Sequence, residues 1–156
     1  MARISITKIF TFEAAHILQG YDGLCANIHG HSYRLEVSVC SPGSVVEPGR
    51  FLYSEKADPK NGMLFDFSEL KKLVSKAVIE PFDHSLILNG QTGEDLAETL
   101  RRRSLRVIVV PYQPTSENLL IDFAARLQAV LPQGIALKKL RLYETATSYT
   151  DYESES

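Results

Sequence analysis

Hydrophobic and polar residues alternate in two stretches near the start of the chain. Ile4, Ile6, Phe10 and Phe12 stand among Arg3, Ser5, Thr7 and Thr11; further on, Tyr33, Leu35, Val37 and Val39 stand against Arg34, Glu36 and Ser38. A period of two puts each apolar set on one face of an extended strand. Residues 3–13 and 33–39 are therefore predicted as two strands, each with one buried side. Alternation returns near the end, where Leu140, Leu142 and Glu144 face away from Lys139, Arg141 and Tyr143, predicting a last strand from Ile135 to about Tyr149. Leu105–Val110, apolar apart from Arg106, reads as a strand.

The period changes to that of a helix in two places. Asp66 is an N-cap with Glu69 three residues on, and Leu70, Leu73, Val74, Ala77 and Val78 form one stripe that Pro81 is expected to end. Thr115 caps a second helix with Leu119, Leu120, Phe123, Ala124, Leu127 and Leu131 on its apolar face, stopped by Pro132 and Gly134. Between the early strands and the first helix, residues 41–62 carry Pro42, Gly43, Pro48, Gly49, Pro59 and Gly62, which is loop chemistry. Met63–Phe67 reads as one more short strand, and 90–104 as a polar connection with a short helix near Glu94–Arg101. The predicted order is β-β-β-α-β-α-β in a single α+β domain spanning residues 1–150, with the acidic tail 151–156 expected to be disordered.

Composition narrows the function classes. A chain of 156 residues with 44% hydrophobic and 23% charged residues can bury one core. Net charge of −2 points away from nucleic acid and anionic membrane as partners, and Arg101-Arg102-Arg103 reads as a solvated surface. The N-terminal stretch has a strand pattern rather than a signal sequence, and no apolar run approaches a membrane span. Two cysteines, Cys25 and Cys40, are too few for a disulfide framework, so the cytoplasm is the expected compartment.

The candidate chemistry centres on Cys25-Ala26-Asn27-Ile28-His29-Gly30-His31-Ser32-Tyr33. In an extended segment His29 and His31 share a face and can converge on a metal ion, with His16 as a third ligand from the end of the first strand. Three imidazoles with an open position suit catalytic zinc; closure of the site by Cys25 would make it structural, and spacing leaves both readings open. Three further groups carry polar chemistry at lower specificity. Asp83-His84 is either a proton relay or loop structure. Glu144, in register with Leu140 and Leu142, either marks the end of the core or accepts paired N–H donors from a ring edge. Thr115-Ser116-Glu117 either caps a helix or meets a ligand.

Taken in order, Phe12-Glu13-Ala14-Ala15-His16, Cys25-x-x-x-His29-Gly30-His31-Ser32-Tyr33, Asp66-Phe67, Asp83-His84-Ser85-Leu86-Ile87-Leu88-Asn89, Pro114-Thr115-Ser116-Glu117-Asn118 and Glu144-Thr145 resemble the 6-pyruvoyl tetrahydropterin synthase / 6-carboxytetrahydropterin synthase family. The resemblance implies the tunnelling fold: a four-stranded antiparallel sheet with two helices on one face, assembled as trimers or dimers of trimers around a β-barrel. It implies zinc on His16, His29 and His31, and a catalytic thiol at Cys25. Asp83 and His84 would form a relay contributed by a neighbouring subunit, and Glu144 would anchor a pterin, with Thr115, Ser116 and Glu117 lining its pocket. The implied substrate is 7,8-dihydroneopterin triphosphate, acted on by a zinc-dependent lyase with a 6-carboxy or a 6-pyruvoyl tetrahydropterin as product; a non-catalytic pterin- or purine-binding module with structural zinc is the distant alternative.

Overall fold

Antiparallel pairing of the two long alternating strands forms the centre of the molecule. The computed structural model describes residues 2–41, 45–53, 55–103 and 105–155, and of 92–94 the backbone alone. Pro42 and Gly43 of the loop segment, Ser104 of the polar connection, and Ser156 of the tail lie outside the described residues. In chain order the elements are β1 (Ala2–Arg3), β2 (Ile6–His16), β3 (His29–Cys40), β4 (Val45–Val46), α1 (Phe67–Val74), α2 (Glu80–Phe82), β5 (Ser85–Asn89), α3 (Gly90–Arg102), β6 (Val107–Val110), α4 (Ser116–Val130), β7 (Ala136–Tyr143) and β8 (Tyr149–Glu153). A short 3₁₀ turn, Leu24–Ala26, lies between β2 and β3.

The main sheet has six strands in the order β6-β5-β2-β3-β7-β8, and β1 pairs with β4 in a separate ribbon. Four of the six, β2, β3, β7 and β8, pair antiparallel in one block. The expectation of four strands is nevertheless too small, because β5 and β6 extend this block in parallel. Parallel neighbours need a crossover, and α3 supplies it between β5 and β6. Only Ala97 of α3 is fully buried among its described side chains, which explains why the segment reads as polar. Met63–Phe67 is not a strand: the chain bends at Leu64 and Phe65, and Phe67 is the first residue of α1. The tail is corrected as well. The chain turns at Glu144–Ser148 and returns as β8, whose Asp151 pairs with Arg141 of β7 at 2.6 Å.

One face of the sheet is apolar and carries the helices. Phe10, Phe12 and Ala14 of β2, with Tyr33, Leu35, Val37 and Val39 of β3, pack beneath Leu70, Val74, Val78 and Phe82 and beneath the Leu119, Phe123 and Leu127 stripe of α4. Asp66 caps α1 by accepting from the Ser68 N–H at 2.7 Å. Pro81 does not end this helix as expected: α1 runs through a π turn, Ser75–Ile79, into α2, which includes Pro81. The widened turn falls where a proline ring lacks an N–H and crowds the carbonyl four residues back.

Candidate active site

The register of β2 and β3 decides which imidazoles meet. His16, the last residue of β2, lies opposite His29, the first of β3, and Ala14 lies opposite His31, so all three histidines share the helix-bearing face. Their Nε2 atoms converge: His16 to His29 is 3.0 Å and His16 to His31 is 3.2 Å. His16 Nδ1 donates to the Pro114 carbonyl at 2.7 Å, and His29 Nδ1 donates to the Asn27 carbonyl at 2.8 Å. A carbonyl only accepts, so these bonds put the protons on Nδ1 and leave both Nε2 lone pairs facing each other. Two acceptors at that distance repel, and a cation between them removes the conflict. Burial holds the pKa of both His16 and His31 below the usual histidine value, which keeps them neutral and able to ligate. The donor set fits a metal.

Gly30 makes this convergence possible. A Cβ there would lie 3.0 Å from the Ala14 carbonyl oxygen, tighter than ordinary contact. A glycine between the two ligands lets β3 approach β2 closely enough for the imidazoles to share one point.

Cys25 sits half-buried in the 3₁₀ turn, its carbonyl accepting from the Leu18 N–H at 3.0 Å. Among the described residues, the metal-capable atoms within 4.8 Å of one another belong to His16, His29 and His31, and the Cys25 thiol is not with them. The described geometry is a three-imidazole group, without the closure by Cys25.

Two clefts open along the wall formed by Gly30, His31 and Ser32. One, of about 500 Å³, runs toward Arg34, Tyr143 and Glu144. Glu144 Oε1 lies 3.3 Å from His31 Nε2, which joins the β7–β8 turn to the imidazole group. The other, of about 670 Å³, runs across β2 past Glu13 to His84 and on to Leu100, Leu105 and Arg106. His84 takes a left-handed backbone, φ 56°, between α2 and β5. That turn is clamped to β2: the His84 N–H donates to the Glu13 carbonyl at 2.6 Å, and Asp83 Oδ1 accepts from the Glu13 N–H at 2.9 Å. The ring is 76% exposed, and its Nδ1 is 3.9 Å from Asp83, too far for a hydrogen bond. Asp83 thus holds the turn, and the imidazole stands free in the cleft.

Thr115, Ser116 and Glu117 line neither cleft. Thr115 caps α4 through the Asn118 N–H at 3.4 Å, Ser116 Oγ bonds Thr150 Oγ1 at 2.8 Å, and Glu117 is exposed. Just before this segment, the Pro114 carbonyl orients His16. Nothing in the residue types marks Pro114 or Asn27, since the groups that act are backbone oxygens.

A family model described as 6-pyruvoyl tetrahydropterin synthase matches residues 5–155. The chain belongs to that family. A Haemophilus influenzae protein named 6-carboxy-5,6,7,8-tetrahydropterin synthase is 34% identical over 151 residues, covering 95% of this chain and 97% of that protein. The human 6-pyruvoyl tetrahydrobiopterin synthase is 28% identical, covering 85% of this chain and 72% of its own. The solved structure of Caenorhabditis elegans 6-pyruvoyl tetrahydropterin synthase superposes with a TM-score of 0.64 at 25% identity, covering 99% of this chain and all of that one. Its likeness bears out the α+β fold with few helices. No helix among the described residues is long and apolar enough to cross a membrane.

Proposed function

We propose that the chain is a zinc-dependent 6-carboxy-5,6,7,8-tetrahydropterin synthase, converting 7,8-dihydroneopterin triphosphate to 6-carboxytetrahydropterin with release of triphosphate and acetaldehyde. The observation that carries this reading is the convergence of three Nε2 atoms, two with their tautomers set by carbonyls, beside a carboxylate 3.3 Å from His31. Zinc held by His16, His29 and His31 would supply Lewis acidity toward the substrate side-chain oxygens and so acidify the neighbouring C–H.

The protein's own groups do the rest. Glu144 accepts the N–H donors of the pterin ring edge, which fixes the side-chain carbon that faces the histidines. Cys25 takes the proton released there as a thiolate. His84, supplied from a neighbouring subunit on the turn that Asp83 holds against Glu13, carries the opposite proton transfer. Thr115 and Ser116 fix the start of α4, whose preceding carbonyl orients His16, and with Glu117 they are proposed to line the pterin pocket in the assembled oligomer. The assembly in this proposal is a trimer or a dimer of trimers.

A second product has support of its own. The human and nematode relatives are named for the 6-pyruvoyl reaction. The bacterial relative at 34% identity, matched over nearly its full length, weighs toward the carboxy product.

Cys25→Ala tests the role of the thiol. An enzyme with a three-histidine site loses turnover and keeps one zinc per chain. Loss of zinc and of thermal stability together would instead make Cys25 a ligand of a structural site.

A further inference from the structure

The segment that carries Cys25, residues 17–28, is held in place with little help from the core. None of its residues is fully buried: Tyr21, Leu24 and Ile28 are exposed, and Cys25 is half-buried. A segment with few buried apolar contacts takes its position from hydrogen bonds. Within the segment these are local. The Leu18 N–H donates to the Cys25 carbonyl at 3.0 Å, and the Tyr21 N–H donates to the Leu18 carbonyl at 3.2 Å. Residues 18–25 therefore form a closed loop with Leu18 and Cys25 at its neck.

A side chain distant in sequence reaches that neck. Gln113, in the connection between β6 and α4, donates through Nε2 to the Gln19 carbonyl at 2.9 Å. The next residue, Pro114, is buried, and its carbonyl orients His16. The backbone at 113 is itself fixed: its carbonyl accepts from the Thr115 N–H at 2.8 Å and from Asn118 Nδ2 at 3.0 Å. Gln113 and Pro114 thus tie the thiol loop and one histidine of the metal centre to the same anchored point.

We propose that Gln113 is a positioning residue for Cys25, fixing the thiol loop relative to the three histidines through its amide donor. This inference rests on the reading of Cys25 as the group that takes the substrate proton. A proton acceptor works only within reach of the proton it removes. A loop that drifts therefore lowers kcat and leaves the binding of ring and metal as they were.

Gln113→Met tests this, because methionine has about the length of glutamine and lacks the donor. Gln128→Met, on the exposed side of α4, controls for the exchange of an amide for a thioether. In metal-free protein, amide hydrogen exchange across residues 17–28 and alkylation of Cys25 by iodoacetamide are measured; Cys40 is buried and does not compete. Loss of one neutral hydrogen bond shifts a local opening equilibrium by about three- to tenfold, so both rates should rise by that factor in Q113M, with exchange in β3 and α4 unchanged. In zinc-loaded Q113M, kcat should fall by about tenfold, with KM within about twofold of wild type and one zinc per chain. Unchanged exchange and alkylation would overturn the assignment. So would a loosened loop with wild-type kcat, which makes the bond merely structural, or the same changes in Q128M. A wild type that turns over no pterin triphosphate would instead remove the catalytic reading of Cys25, and the tether would then stand or fall on the exchange and alkylation rates.

Discussion

Gly30→Ala isolates the contribution of strand spacing to the metal site. Gly30 is not among the positive-φ glycines, so alanine fits its backbone and would be neutral or stabilising by about 0.5 kcal/mol at an open position. Here the added Cβ meets the Ala14 oxygen at 3.0 Å and the Ala15 Cα at 3.4 Å, and both neighbours are backbone atoms of a central strand. Relief requires β2 and β3 to part by a few tenths of an ångström between the His16–His29 and Ala14–His31 pairs. Overpacking of this kind costs on the order of 1–3 kcal/mol. For a chain of this size each kcal/mol lowers Tm by roughly 2–4 °C. Metal–ligand distances tolerate only about 0.2 Å, so the same parting should weaken zinc binding by about tenfold or more. Competition titration against a chromophoric chelator, paired with thermal melts of the metal-free protein, measures both effects. Wild-type zinc affinity in G30A, with Tm unchanged, would refute the argument that this glycine sets the ligand spacing.

Other perturbations separate the remaining parts of the site. Glu144→Gln keeps the side-chain shape but removes the charge that pairs with ring N–H donors; pterin affinity, by fluorescence titration, should fall by about tenfold or more while bound zinc stays at wild-type content. Burial lowers the pKa of His16 and His31, so the unfolded chain takes up protons that the folded chain resists as pH falls through about 6.5. Denaturant unfolding of the metal-free protein should therefore show stability nearly level above pH 7 and declining from there toward pH 5. A decline of the same size in His16→Gln with His31→Gln would assign it to other groups.

Much of the fold could be read from periodicity, because β2, β3, β7 and α4 each present one clean apolar face to a single core. The parallel extension could be read only in part: the apolar run Leu105–Val110 marks β6, while Ser85–Asn89 does not read as a strand. β5 is five residues long with polar Ser85 and Asn89 at its buried ends, which shortens its apolar run, and α3 begins at Gly90, ahead of the short helix expected near Glu94–Arg101. The hairpin of β7 and β8 was hidden for a different reason. Residues 135–149 read as one strand and 151–156 as an acidic tail, yet Asp151 and Glu153 are partners for Lys139 and Arg141 across the hairpin, a match visible only once the strands are paired. At the site, the histidine pair was legible from spacing, since alternate residues of a strand share a face. His16 joined it through register, which spacing alone does not give. Asp83 and Thr115 were marked by residue type and turn out to act through backbone bonds and a helix cap, while the orienting carbonyls of Pro114 and Asn27 left no mark in the sequence.

In the proposed reaction the three-histidine centre and Glu144 act together on a pterin triphosphate. Product analysis with zinc-loaded protein and 7,8-dihydroneopterin triphosphate as sole substrate tests it most directly. Acetaldehyde, triphosphate and a 6-carboxy pterin are expected in equal amounts. Triphosphate with a pyruvoyl product and no acetaldehyde would move the chain to the other reaction of its family. Absence of any turnover in intact, metal-replete protein would contradict the account.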